Sequence, residues 1–288
     1  MLFLLRDKLF PILIFLQSVV CGCASDEGRG NFDRISQDYT IKQIGHLHKG
    51  KVVESSGLEI ANEEGDLWTH GDGGNTSALY KVTQQGDLLS TLDLGNLTNI
   101  DWEDLAQDDK GHLFIGDFGN NQNKRRKLAI YRLSGPDYRR IDTIAFSYPD
   151  QKAFPPKKKD RNFDCEAFFF HNDSLYLFTK NRSQSQWVKQ YKLPALPGMH
   201  VAALVDSIQI NTWITAADIS PDGRTVALLG YGHVYLIELQ PGRKLFDGRK
   251  SCLPVPSSGQ AEALVFLNNT DFVLSNEKGK LYKAMHKK

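Results

Sequence analysis

Acidic side chains recur along this chain in a pattern that suits a cation. Asp101 and Glu103 form one D-x-E pair, and Asp164 and Glu166 form another. At a spacing of two, both side chains of a pair leave the same side of a strand. Glu54 and Glu262 stand in comparable places, beside short apolar runs. A second set follows later apolar runs: Asp72, Asp117, Asn120, Asn181 and Asn276. Carboxylate and amide oxygens are the ligands that hard cations such as Ca²⁺ take. Glu103, Glu166, Asp117 and Glu262 are the expected metal ligands. Asp72 and Asn181 are expected beside them as ligand-binding groups. The same residues would also serve structure alone, because Asp and Asn at strand ends bond to neighbouring backbone groups. Glu is a poor strand former, which favours a chemical role for Glu103 and Glu166.

Two basic runs add a second theme. Asn123 to Lys127 reads NKRRK, and Lys157 to Arg161 reads KKKDR. Lys124, Arg125, Lys158 and Arg161 are expected on the same face as the acids, where they would suit a phosphorylated or carboxylated ligand. The alternative is two solvated loops. His70, in WTHGD, is either a base near this site or a structural hydrogen-bonding residue. No G-x-S-x-G nucleophile turn and no H-E-x-x-H metal helix occurs.

These residues need a scaffold that gathers them. From residue 39 onward, short β-rich runs alternate with Gly, Asn and Asp turns, and no long helical period appears. Five unit starts align: Ser56-Gly57-Leu58, Glu103-Asp104-Leu105, Glu166-Ala167-Phe168, Ala217-Asp218-Ile219 and Glu262-Ala263-Leu264. They recur at intervals of 47, 63, 51 and 45 residues, and blades of a β-propeller recur at about 40–50. A hairpin turn follows each start: NEEG at 62, DDKG at 108, HND at 171, PDG at 221 and NNT at 268. The last unit offers only three strands, and Tyr39 to Leu47 is an orphan strand that would complete it. The expected fold is all-β: one propeller of four-stranded blades, closed by an N-terminal strand. Five blades fit the spacing. Six is the alternative, if residues 134–163 hide a degenerate blade. In such a ring the starts of all inner strands meet around one opening. In the fourth unit, Ala217 stands where Glu would. Trp68, Trp102 and Trp213 are expected to pack between blades, and Trp187 to face a ligand from a loop.

The first residues belong to a different signal. Arg6 and Lys8 precede an apolar run from Leu9 to Val20. That run is short for a membrane span, which needs about 20 residues, and suits an export leader. Val20-Cys21-Gly22-Cys23 resembles a bacterial lipobox, which would leave Cys23 as the acylated first residue. The alternative is an ordinary secretory cut near Ala24. The expected division is a leader over 1–22, a flexible tether over 23–37 and a propeller over 38–288. Cys165 and Cys252 are expected to be two separate thiols, the first a small buried apolar residue.

Composition sets outer bounds. The 288 residues are 41% hydrophobic and 24% charged, as in folded proteins. Lys and Arg number 35 against 34 Asp and Glu, a net charge of +1. Nothing in that balance calls for nucleic acid as a partner.

ESSGL at 54–58, LWTHGDGGN at 67–75, DWEDL at 101–105 and GDFGNN at 116–121 resemble bacterial exported propellers of the SdiA-regulated and phytase-like esterase type. The resemblance implies a Ca²⁺-linked acidic centre and, in some members, hydrolysis of phosphate or other esters. It extends to Glu103 and Glu166, and less fully to Asp117 and Glu262. Two functions follow as expectations. One is a monomeric, lipid-tethered envelope propeller that binds an anionic small molecule or an envelope protein at its central face, on the outer membrane or facing the periplasm. The other is a Ca²⁺-dependent hydrolase of an anionic ester, phosphate ester or lactone.

Overall fold

The structure is a computed structural model that describes Cys23 and residues 32–183, 187–255 and 258–287. The leader expected over residues 1–22 lies outside the described residues. Two strands come first, β1 (Phe32–Arg34) and β2 (Tyr39–His46). Blade 1 contains β3 (Ser55–Ile60), β4 (Leu67–Gly71), β5 (Ala78–Val82) and β6 (Leu88–Asp93). Blade 2 contains β7 (Trp102–Gln107), β8 (Leu113–Asp117), β9 (Leu128–Ser134) and β10 (Arg140–Ser147). Blade 3 contains β11 (Cys165–His171), β12 (Ser174–Thr179) and β13 (Trp187–Pro194); the chain then forms β14 (Gly198–Val201) before β15 (Ala203–Gln209) completes the blade. Blade 4 contains β16 (Ile214–Ile219), β17 (Thr225–Gly230), β18 (His233–Glu238) and β19 (Lys250–Pro254). Blade 5 contains β20 (Ala261–Phe266), β21 (Phe272–Asn276) and β22 (Lys280–His286).

The blade count is therefore five. Residues 134–163 hold β10 and a short 3₁₀ turn at Lys158–Asp160, and no further sheet. Each of the five expected unit starts falls on or at an inner strand, and each expected hairpin turn joins the first strand of a blade to its second. The turn chemistry is visible at His171 to Ser174, where Asn172 and Asp173 have φ of 48° and 55°. Asn and Asp tolerate that left-handed backbone better than other side chains.

Closure follows the expected route. β2 pairs antiparallel with β22, from Tyr39↔His286 to His46↔Lys280, and supplies the outer strand of blade 5. Two further strands cross between blades. β14 leaves blade 3 to lie parallel on β10 of blade 2. β1 lies parallel on β19 of blade 4. Phe32 is buried there, edge-on to Tyr235 at 5.1 Å. Residues 32–34 therefore belong to a blade, and the tether expected over 23–37 is pinned along part of its length.

Five apolar clusters hold the ring, one at each blade-to-blade contact. Inner and second strands are packed on both faces, so β4, β8 and β21 are buried throughout. Trp68 and Trp102 sit in the cluster between blades 1 and 2. Carboxylates staple the inner strands below the opening. Asp104 accepts the backbone N–H groups of Phe168 in blade 3 and Ala217 in blade 4. Asp218 accepts that of Phe266 in blade 5.

Cys23 is disulfide-bonded to Cys252 across 229 residues. This corrects two expectations. Cys252 is not a separate thiol. A sulfur held in a disulfide cannot carry a thioether-linked lipid, so acylation of Cys23 and this bond exclude one another. The reason is β1, whose register sets Arg34 opposite Cys252 and brings the N-terminal segment back to blade 4. Cys165 is the buried free thiol that was expected. Reduction should lower the melting temperature by roughly 5–10 °C, from the 2–4 kcal/mol typical of such bonds. Cys252→Ser should show the same loss and no response to reductant. Equal melting of oxidised and reduced protein would mean the bond contributes nothing.

Candidate metal centre and central pocket

Each inner strand breaks register once near its start. The shifts lie between Ser56 and Leu58, Trp102 and Leu105, Cys165 and Ala167, Ile214 and Ala216, and Ala261 and Ala263. A bulge leaves its extra residue unpaired and re-aims that side chain. The extra residues are Gly57, Glu103 with Asp104, Glu166, Thr215 and Glu262. Glu103, Glu166 and Glu262 all line a central pocket of about 190 Å³. In blade 4 the equivalent residue is Thr215. Ala217, aligned there from sequence, lies two positions further on.

One side of the pocket, where Asp72 and Glu103 line it, carries a carboxylate group that Asp101 completes. Asp72, Asp101 and Glu103 each place one oxygen within 4.8 Å of the others. Among the described residues, none of the three forms an ion pair. Asp72 follows β4, where its N–H donates to the Glu54 carbonyl at 2.8 Å. Two glycines make the approach possible. A Cβ on Gly73 would stand 2.5 Å from Asp101 Oδ1. A Cβ on Gly119 would stand 1.9 Å from Glu103 Oε1 and 2.5 Å from Asp101 Cγ. The GDGGN and GDFGNN stretches thus leave the carboxylates their space. Gly119→Ala should push Glu103 and Asp101 apart and weaken Ca²⁺ binding at least tenfold, read by calorimetric titration. Unchanged affinity would remove this group from cation binding.

The other side is already neutralised. Glu166 meets Lys180 Nζ at 2.9 Å and Arg182 at 3.0 Å. Arg182 also meets Asp164 at 2.6 Å. The two cations lie near the Trp213 ring, Lys180 at 5.9 Å and Arg182 at 5.0 Å from its centroid. Tyr231 donates its hydroxyl proton to Glu262 at 2.6 Å.

Of the four expected metal ligands, only Glu103 joins the three-carboxylate group. Glu166 and Glu262 line the same pocket with the partners just described. Asp117 is paired with Arg125 at 2.7 Å and accepts the Asp101 N–H. Arg125 also donates to the Gly119 carbonyl at 2.7 Å, so it pins the loop that bears the cradle. Asp72 lines the pocket, as expected of a ligand-binding group. Asn181 is buried and donates to the Trp187 carbonyl. Lys124 and Lys158 are exposed, Arg161 is half-buried, and none of the three lines the pocket. Trp187 is exposed on a rim groove with Lys157 and Lys159. His70 is fully buried beneath Gly57, away from the pocket lining.

Sequence reasoning did not single out Lys180, Arg182, Tyr231, Gln260 or Glu277, all of which line the pocket. A signal was available. Gly71-Asp72, Thr179-Lys180, Gly230-Tyr231 and Asn276-Glu277 each join the last residue of a second strand to the one after it, and in blade 2 the last residue is Asp117 itself. Aligning strand ends as well as strand starts brings Lys180 and Tyr231 into the ring.

The electrostatics separate the two sides. Burial, then mutual repulsion, pushes Asp101 up to about 6. Burial likewise lifts Asp72 to about 6. Glu103 is driven well above the carboxylate range by burial and then by Glu166. Burial works to raise Glu166 as well, but Lys180 and Arg182 outweigh it and hold that carboxyl low. Three crowded carboxylates that resist ionisation, beside a fourth that is ionised and paired, leave room for one added positive charge. The donor set is all oxygen, which fits Ca²⁺.

No protein-family model matches the chain, and no curated protein matches it in sequence. Solved structures do match. One is a PQQ-bound aldose sugar dehydrogenase from Streptomyces coelicolor, with a TM-score of 0.52 and 11% identity over 86% of this chain and 98% of that one. Another is a gluconolactonase from Xanthomonas campestris, with a TM-score of 0.50 and 12% identity over 92% and 93%. At these identities the likeness establishes the propeller fold.

Proposed function

We propose that this chain is an exported propeller that binds a small oxygen-rich ligand in its central pocket through one divalent cation. Asp72, Asp101 and Glu103 would hold the cation. The observation that carries the reading is their convergence, without an ion pair among the described residues, beside a cavity of about 190 Å³ that Asp72 and Glu103 line. That volume is below the usual range for drug-sized ligands, about 300–1,000 Å³, so the ligand is small. Six carboxylates and two cations line the pocket, counting Glu54 and Glu277 with those above. Even with a divalent ion the lining stays acidic. A neutral or singly charged sugar, hydroxy acid or lactone suits it better than a phosphate ester.

Export to the bacterial envelope is part of the same reading. The leader pattern and a disulfide near the N-terminus support it. Lipid anchoring through Cys23 is not part of it, because that sulfur is already bonded.

A second reading is metal-dependent hydrolysis of an ester or lactone. It is favoured by the placement of the carboxylate group beside Lys180, since a bound cation polarises a carbonyl and a paired amine steadies the developing charge. The neighbour described as a gluconolactonase makes glucono-lactone a sensible probe. Gluconate binding should be measured by calorimetry and lactone hydrolysis by proton release, with Ca²⁺ and with EDTA, in wild type and Asp101→Asn. Ca²⁺-dependent gluconate binding without turnover supports the binding reading. Ca²⁺-dependent turnover lost in Asp101→Asn supports the hydrolase. Gluconate binding unaffected by EDTA and by Asp101→Asn would overturn both.

A further inference from the structure

The face opposite the central pocket carries a groove of about 810 Å³ between blades 3 and 4. The β11–β12 and β16–β17 hairpins and the connection after β18 form its walls. Its floor is apolar. Phe169 and Leu245 are buried in the cluster between the two blades, and Leu239 packs against it. Tyr176 stacks on Phe169, with ring centroids 5.2 Å apart.

The rim is cationic. Lys192, Arg224, Arg243 and Lys244 all border the groove, and no Asp or Glu lines it. Among the described residues, none of these four forms an ion pair. Lys192 lies 5.2 Å above the Tyr176 ring. Asp222 is nearby, but its carboxylate accepts the Ser220 hydroxyl at 2.7 Å and the Arg224 backbone N–H at 3.1 Å. The guanidinium of Arg224 remains exposed to solvent. In a chain of net charge +1, four cations without an ion pair around one concavity, with Asp222 the carboxylate that acts on Arg224, mark a site for an anion. The apolar floor beneath them offers cover to a hydrophobic group attached to it.

We propose that this groove is a second binding site, for an amphipathic anion: a carboxylate or phosphate carried on an apolar chain. The charged end meets Arg224 and Lys244 at the rim. The chain lies along Tyr176, Leu239 and Leu245. This site is independent of the cation-bound ligand in the central pocket, since the two share no residue and open on opposite faces.

Dodecyl phosphate, kept below its micelle concentration, tests this by calorimetric titration into the purified protein. Saturable binding is expected, weakened at least tenfold in the double variant Arg224→Ala/Lys244→Ala. Both side chains are exposed, so the variant should melt with the wild type. Inorganic phosphate and the uncharged dodecyl maltoside should each bind at least tenfold more weakly than dodecyl phosphate. Sedimentation with phosphatidylglycerol vesicles, and not with phosphatidylcholine vesicles, would assign the anion to a lipid headgroup. Dodecyl phosphate binding without vesicle binding would assign it to a free amphiphile. Equal affinity of wild type and double variant, or equal binding of dodecyl maltoside, would overturn the site.

Discussion

Calcium added to the EDTA-treated protein should raise its melting temperature by about 5–10 °C. A cation at one hundred times its dissociation constant contributes about 2.7 kcal/mol when it binds only the folded state. Each kcal/mol moves a chain of this size by roughly 2–4 °C. The effect originates in Asp72, Asp101 and Glu103, which crowd within 4.8 Å of one another. Asp101→Asn and Glu103→Gln should each abolish most of the shift. Their second effect has the opposite sign. Without cation, both variants should melt above the cation-free wild type, because each removes a carboxyl group whose ionisation burial and its neighbours oppose. Scanning calorimetry of the three proteins, with EDTA and with Ca²⁺, reads both effects. A wild type that melts identically in the two buffers would sink the metal centre.

The cation-free protein should also lose stability as pH rises from 6.5 to 8. Burial, the largest cause in each case, raises Glu262 to about 8 and Asp218 to about 7. Raised carboxyl groups bind more protons in the folded state than in the unfolded one. Stability therefore falls as pH climbs toward their folded values. His70 acts in the opposite sense, since burial lowers it from 6.5 to about 4. Its contribution is lost as pH falls below 6.5, outside this window. Glu262 and Asp218 together should account for a loss on the order of 2 kcal/mol between pH 6.5 and 8, the larger share from Glu262, and the raised carboxyl of Glu103 adds to it. Glu262→Gln should make the profile shallower, and Ca²⁺ should do so as well, because a cation held by Glu103 removes the contribution of that raised carboxyl. Melting temperature against pH, in EDTA, is the measurement. A profile that rises between pH 6.5 and 8 would contradict the assignment.

The propeller was legible because its repeat is written in two independent signals. Short apolar runs gave the strands, and turns such as Asn172-Asp173 gave the hairpins. The closing strand was legible because blade 5 lacked a partner and Tyr39 to Leu47 had none. The site was half legible. Glu103 and Asp72 stood out as acids at strand ends, whereas Glu166 looked the same and proved to be paired with Lys180 and Arg182. A charge pattern along a chain does not state which charges face one another. The Thr215 position was misread by two residues because blade 4 carries Thr at the bulge where blades 2, 3 and 5 carry Glu, so no acid marked it. β14 and β1 were missed for a related reason. Each is a short strand that borrows the edge of another blade, and neither GMHV nor FDR alternates long enough to announce itself. The disulfide follows from β1 and was hidden with it.

The pairing of β2 with β22 also fixes a timetable. Tyr39 finds its place only beside His286, so the first strand of blade 5 to be synthesised waits for the last. Four blades can collapse in order as they are made, while the fifth stays open until the C-terminal strand arrives. Contacts so distant in sequence slow the final step. β2 is suited to the wait, because Lys42 and Gln43 are exposed in its middle and discourage pairing with a stranger. A chain interrupted before Lys280 would thus hold most of its core and still have an unsealed seam. Such a product would leave β2 and β21 without the strand that lies between them, so the seven residues of β22 seal the ring.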